Sequence, residues 1–181
     1  ASEDADAEEA LRAFARFPRW MWRNADVLDF VGWLREHCER TGREVGLYGL
    51  DLYSLYASIE AVIAYLERED PDAAARARAR YACFEQFGQD TAAYAYAAGL
   101  DLGESCEREA TAQLLEMRAR SLERARADGE ELFGAEQNAA LVKDAEEYYR
   151  SMFRGSVTTW NLRDRHMADT LAAVAQHLDH R

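Results

Sequence analysis

Apolar side chains recur at helical spacing along almost the whole of this chain, and that period restricts the fold more than any other feature. Val27, Phe30, Val31 and Leu34 fall at i, i+3, i+4 and i+7. Leu55, Ile59, Val62, Ile63 and Leu66 make a second stripe. Leu141, Ala145, Tyr148 and Met152 make a third, and Met167, Leu171, Val174 and Leu178 a fourth. Each stripe has to be covered by another element. Capping and breaking residues divide the pattern. A short opening helix is predicted over Glu8 to Phe14, broken by Phe17-Pro18, and another runs from Asn24 to Thr41-Gly42. Further helices are predicted to end at Glu69-Asp70, to start at Pro71 and carry Ala73 to Phe87, and to cover Thr91 to Ala98. A long one runs from Ser105 to about Ala127, the next from about Glu130 to Arg154-Gly155, and the last from Thr159. The fold class is mainly α, with about seven helices.

One segment departs from the pattern. Glu44-Val45-Gly46-Leu47-Tyr48-Gly49-Leu50 is short, apolar and interrupted by glycines, and it reads as one buried strand over roughly 44–50. A lone strand is incomplete, because its backbone donors and acceptors need neighbours. An apolar edge of this kind invites another chain, so pairing between copies through 45–50 is an expected route to a homo-oligomer.

The charge narrows the partners. With 22 basic and 34 acidic side chains, the formal charge of −12 argues against nucleic acid and against an anionic membrane face. Basic residues are arginine except for Lys143, and alanine is abundant, which reads as the coding bias of a GC-rich bacterial genome. Cys38, Cys83 and Cys106 are odd in number, widely spaced and without a C-x-x-C pair. They are expected as three free, buried or half-buried thiols, which with the acidic start places the protein in the cytoplasm.

Most motif-borne chemistry is absent. There is no G-x-G-x-x-G, no G-x-x-x-x-G-K-[ST] and no G-x-S-x-G. No Glu-x-x-His exists, so a di-iron carboxylate bundle is excluded. His177 and His180 lie one turn apart at the C-terminus, too close to the end to build a site on. No metal and no cofactor are expected.

Three segments are richer in polar and aromatic side chains than packing requires. In Arg16 to Asn24, Trp20 and Trp22 beside arginines either line a pocket for a bulky ligand or plug the space between helices. In Tyr48 to Ser54, Asp51 either serves a site at the strand end or caps the following helix. In Trp160 to Met167, Arg163 either anchors an anionic group or pairs with a buried acid such as Asp51.

The same segments carry a family likeness. Phe17 to Asn24, Gly46 to Ser54, Ala135 to Ala139, Ala145 to Arg150 and Trp160 to Ala168 resemble, in order and spacing, the erythromycin esterase-like (succinoglycan biosynthesis-like) family. The likeness runs from about Asp4 to His177. It implies a longer protein with an α/β core around a cleft and a helical part beside it. The family's proposed catalytic histidine lies in a Gly-Glu-x-x-His-Gly motif, followed by a glutamate and later by His-Asn-x-His, and this sequence contains none of these.

The resemblance therefore implies that residues 1–181 are a single helix-rich segment of a larger α/β hydrolase-like protein, with the flanking core segments absent. Its activity would be ester or lactone hydrolysis by a histidine general base outside this chain, macrolides and antibiotic response being the namesake context. No residue present is expected to be catalytic, and the chain alone is expected to be inactive. Asp51, Arg163, Trp20 and Trp22 are the expected substrate-binding residues, with Arg23, Asp164 and His166 supporting them. The competing expectation is a stand-alone helical binding or assembly module without catalysis.

Overall fold

The computed structural model describes residues 4–12, 14, 19–43, 45–100, 102–124, 129–153 and 156–179. The expected break at Phe17-Pro18, the strand's first residue Glu44, the helix end near Ala127 and the stop at Arg154-Gly155 lie outside them. The chain forms two compact units, Ala1–Tyr48 and Gly49–Arg181.

The first unit holds α1 (Ala7–Arg12), α2 (Arg19–Trp22) and α3 (Ala25–Thr41). Asn24 starts α3 by accepting the Val27 N–H at 2.9 Å. Gly42 ends it at φ 65°, a conformation that needs no Cβ, with its N–H on the Cys38 carbonyl. Arg35 ties α3 to the start of the unit by donating to the carbonyls of Asp4 and Ala5. Among the described residues of this unit Leu11 is the buried apolar one, while Phe30 of the expected α3 face, and Trp33 outside that face, are about half exposed.

The stretch 45–50 is irregular backbone, and no strand occurs among the described residues. This corrects the expected strand over 44–50. A strand is defined by its ladder, and no second extended segment among the described residues supplies one. Val45 and Leu47 stand exposed.

The second unit is built around α8 (Gly129–Ser151), against which α4 (Leu55–Glu69), α6 (Thr91–Gly99), α7 (Glu107–Arg124) and α9 (Ser156–Asp179) all pack. Between α4 and α6 lie α5 (Pro71–Tyr81) and a 3-10 turn, Ala82–Phe87. Asp70 makes the α4–α5 corner: its N–H closes α4 on Leu66, its carboxylate accepts the Ala73 N–H, and Pro71 opens α5. Asp90 caps α6 through the N–H groups of Ala92 and Ala93.

Alanines at 135, 139 and 145, all buried, let neighbouring helices approach α8 closely. Where α6 meets α8, a Cβ on Gly99 would sit 3.1 Å from the Arg150 carbonyl oxygen, so any larger residue there would need the α8 backbone to give by a few tenths of an ångström. Leu52, Leu55, Val62, Leu66, Phe84, Tyr94, Met117 and Val142 fill the core. No helix among the described residues is long and apolar enough to cross a membrane.

Two stripes are rotated from expectation. On α8 the buried row is Leu132, Ala135, Ala139, Val142, Ala145, Glu146 and Tyr149, while Met152 lies past the helix end and exposed. On α9 the buried row is Leu162, His166, Thr170 and Val174, whereas Leu171 and Leu178 face outward at 56% and 48% exposure. Both rows include polar residues that a hydrophobic period does not count.

The cysteines are corrected as well. Cys83 and Cys106, 23 residues apart, form a disulfide with Cα atoms 5.9 Å apart, and Cys38 alone is free. The expectation of three free thiols fails because the fold brings the 3-10 turn onto the start of α7, which spacing in sequence does not reveal. The cysteine argument for a reducing compartment falls with it.

Candidate functional site

Asp51 stands in the irregular segment that leads into α4, and the buried side chains of Leu52 and Leu55 fix the backbone beside it. It does not cap that helix. Ser54 occupies the cap position, and Asp51 Oδ1 accepts the N–H of Leu52. Its carboxylate is instead taken by Arg163, 112 residues away and about two turns into α9. Arg163 Nε donates to Oδ1 at 2.9 Å and Nη2 to Oδ2 at 2.8 Å. This two-pronged geometry fixes the guanidinium plane as well as its position.

Aromatic rings hold the other sides of the guanidinium. Arg163 Cζ lies 5.0 Å from the Tyr53 ring centroid and 5.4 Å from that of Trp160. Tyr53 meets Tyr148 edge-on at 6.0 Å, their hydroxyl oxygens 3.4 Å apart. Trp160 is 59% exposed and Tyr53 46%, so the group is an open aromatic shelf with one ion pair set into it. Arg163 Nη1 has no hydrogen-bond partner among the described residues and remains available to a ligand.

The protonation states follow from the geometry. Burial opposes ionisation of Asp51, but the Arg163 hydrogen bonds, the Leu52 N–H and the guanidinium charge outweigh it and hold the carboxyl below its usual range. Arg163 is held above its usual value, first by its bonds to Asp51. Burial, and then the Tyr53 hydroxyl, push the Tyr148 phenol up to about 12, so it is a neutral donor and acceptor at ordinary pH.

One turn beyond Arg163, His166 is buried and its Nδ1 lies 2.8 Å from Asp144 Oδ2. Asp144 also takes Lys143 Nζ at 3.1 Å, and Lys143 reaches Glu147. Burial opposes the Asp144 charge, yet His166 and Lys143 together keep its carboxyl below the ordinary range. An ionised carboxylate only accepts, so Nδ1 carries the proton that His166 donates. Successive turns of α9 thus present Arg163 and His166, each held by a carboxylate from another segment.

The shelf is assembled from residues of the second unit: Asp51, Tyr53, Asp144, Tyr148, Trp160, Arg163 and His166. The remaining sequence-expected residues are placed differently. Trp20 and Trp22 belong to α2 in the first unit, exposed at 68% and 46%, with Trp22 stacked on Phe14 at 5.3 Å. Arg23 follows them, exposed. Asp164 lies on the solvent side of α9 without a side-chain partner among the described residues.

Tyr53 and Trp160 sat inside the segments that the sequence singled out without being chosen. Tyr148 falls in the third apolar stripe, where helical spacing marks it for packing. Asp144 gave no signal of its own. Among the described residues no group of three or more His, Cys, Asp or Glu side chains is placed to hold a metal ion.

Compared with known proteins, the chain matches the family model described as "Erythromycin esterase" over residues 1–181. No solved structure matches it.

Proposed function

This chain belongs to the erythromycin esterase family, and from that premise we propose that it forms the helical, substrate-holding wall of an ester- or lactone-hydrolysing cleft. The observation that carries the reading is the Asp51–Arg163 pair, drawn together across 112 residues and set among exposed rings. Ion pairs that serve packing alone do not need an open aromatic surround. In the proposed cleft, Asp51 fixes the Arg163 plane, the free Nη1 donates to an oxygen of the bound ester or lactone, and Trp160 and Tyr53 cover its apolar part. Asp51 and Arg163 position the substrate, and a histidine general base supplied from outside residues 1–181 activates the attacking water. His166, already committed to Asp144 at Nδ1, supports the α9 turn that carries Arg163.

Erythromycin and 4-nitrophenyl butyrate test this, with binding followed by ligand-observed NMR and product by mass spectrometry. The chain is expected to bind erythromycin saturably without turning it over. Arg163→Lys is expected to weaken that binding by about 10-fold, since lysine keeps the charge but loses the two-pronged bond to Asp51 and the Nη1 donor. Turnover that survives repurification would remove the external base from the proposal. Binding indifferent to Asp51→Asn and Arg163→Lys would remove the shelf.

A further inference from the structure

We propose that the Cys83–Cys106 disulfide is a thiol-exchange site for a small thiol, opened by attack on Cys83, and that its state is passed through Tyr94 to Glu146 on α8. The two sulfurs are not equivalent. Cys106 is fully buried, whereas Cys83, in the 3-10 turn, is only half-buried. Cys83 is thus the half of the bond on which a thiolate from solvent is proposed to act. Attack on Cys83 makes Cys106 the leaving sulfur. Its carbonyl accepts the Ala110 N–H at 2.9 Å, which makes it the cap residue of the 18-residue α7. There the unpaired N–H groups and dipole of the helix favour the departing thiolate, against the burial that opposes its charge.

The exchange balances without any further reagent. The small thiolate forms a bond to Cys83 Sγ as the Cys83–Cys106 bond breaks, and the electron pair leaves on Cys106 Sγ. A second small thiol attacks the mixed disulfide and releases Cys83. Two small thiols are oxidised to their disulfide, the protein disulfide is reduced, and the two thiol protons end on Cys83 and Cys106. The oxidised small thiol reverses both steps.

The route inward is a chain of two hydrogen bonds in a dry part of the unit. The Cys106 N–H donates to Tyr94 Oη at 3.0 Å, and Tyr94 Oη donates to Glu146 Oε1 at 2.6 Å. Tyr94 and Glu146 are 0% and 1% exposed, so water does not replace either bond if the start of α7 shifts. Glu146 stands two residues from both Asp144 and Tyr148, the α8 contributions to the aromatic shelf. None of this depends on which ligand the shelf takes.

Native protein is treated with reduced glutathione, thiols are alkylated at intervals, and peptides are mapped by mass spectrometry. Before treatment Cys38 alone is expected to alkylate. During it the mixed disulfide is expected on Cys83, and afterwards all three cysteines should be free. Cys106→Ser is expected to take glutathione at Cys83 from oxidised glutathione, while Cys83→Ser takes none at Cys106. Hydrogen exchange in 91–99 and 142–150 is expected to speed up by about 10-fold or more in the reduced protein, whereas α5 changes little. Three alkylatable thiols at the outset, a bond that opens only after denaturation, an adduct on Cys106, or exchange unchanged around Glu146 would each overturn the proposal.

Discussion

The second unit contains two clusters made from the same parts, a carboxylate, a two-pronged arginine and tyrosine, and they have opposite characters. In the first, Glu146 receives Arg150 Nε at 2.8 Å and Nη2 at 3.2 Å, together with the Tyr94 hydroxyl, and Arg150 goes on to Glu107. Glu146 and Tyr94 are sealed from water. In the second, Asp51 receives Arg163 Nε at 2.9 Å and Nη2 at 2.8 Å, but its side chain is 38% exposed and the rings around it face solvent. A buried charge must have all its bonds satisfied inside the protein, because nothing else can satisfy them. A half-exposed pair has water as an alternative, so its geometry adds little to stability. The pairing chemistry alone does not separate packing from function; the openness of the surround does.

The sharpest way to break the comparison is to remove each carboxylate in turn. Glu146→Ala leaves Arg150 and the Tyr94 hydroxyl without their shared acceptor, and is expected to cost about 3–5 kcal/mol. Asp51→Asn, at a solvent-screened pair, is expected to cost about 1 kcal/mol or less. Urea unfolding followed by circular dichroism measures both. Equal losses would mean that the Asp51 pair is as structural as the Glu146 knot.

Acid extends the comparison to a third cluster. Glu116 on α7 binds Arg76 and Arg80 of α5 as well as Arg120. Burial opposes its charge, but the bonds from Arg76 and Arg80 prevail and take its pKa from 4.5 down to about 2. A carboxyl depressed in the folded state contributes stability that is present above the unfolded pKa and lost as pH falls through the folded one. Lowering pH from about 5 toward 2 is therefore expected to destabilise the α5–α7 contact. Glu116→Gln should flatten the urea midpoint against pH across that window. Asp51 is also depressed but more exposed, so Asp51→Asn should flatten it less. A steeper pH dependence for the Asp51 pair than for Glu116 would invert the ranking of the clusters.

How far the sequence reached can be seen in the same residues. The α4 stripe, Pro71 at the start of α5 and the Asn24 and Gly42 boundaries of α3 are local signals, and the structure contains each of them. The Asp51–Arg163 contact was one of two alternatives that residue chemistry left open for Arg163, since no local rule joins positions 112 apart. The row on α9 was misread because it contains His166, buried against Asp144, and the buried Thr170, polar residues that a hydrophobic period leaves out. The 45–50 segment was misread because its apolar, glycine-flanked composition fits a strand equally well whether or not a ladder is present. The disulfide left no trace in spacing, since its partners are brought together by the packing of the elements between them.

The smallest expected effect on stability tests the shelf most directly. Trp160 is 59% exposed, and its described polar contact is the face it offers Arg163 at 5.4 Å. Trp160→Ala removes one of the two rings against the guanidinium and is expected to cost about 0.5–1 kcal/mol, within the range for an exposed cation–π pair. The Asp51 bonds and the Tyr53 ring still hold Arg163, so the fold and the ion pair persist. If the shelf holds a ligand, the same change should weaken erythromycin binding by about 10-fold, because apolar area at the site is lost. Trp160→Phe keeps a ring and should recover most of that loss. NMR titration of the three proteins, with urea unfolding on the same samples, separates the two effects. A Trp160→Ala protein that binds as well as the parent would show that the exposed ring belongs to packing, and that Asp51 and Arg163 differ from Glu146 and Arg150 only in depth.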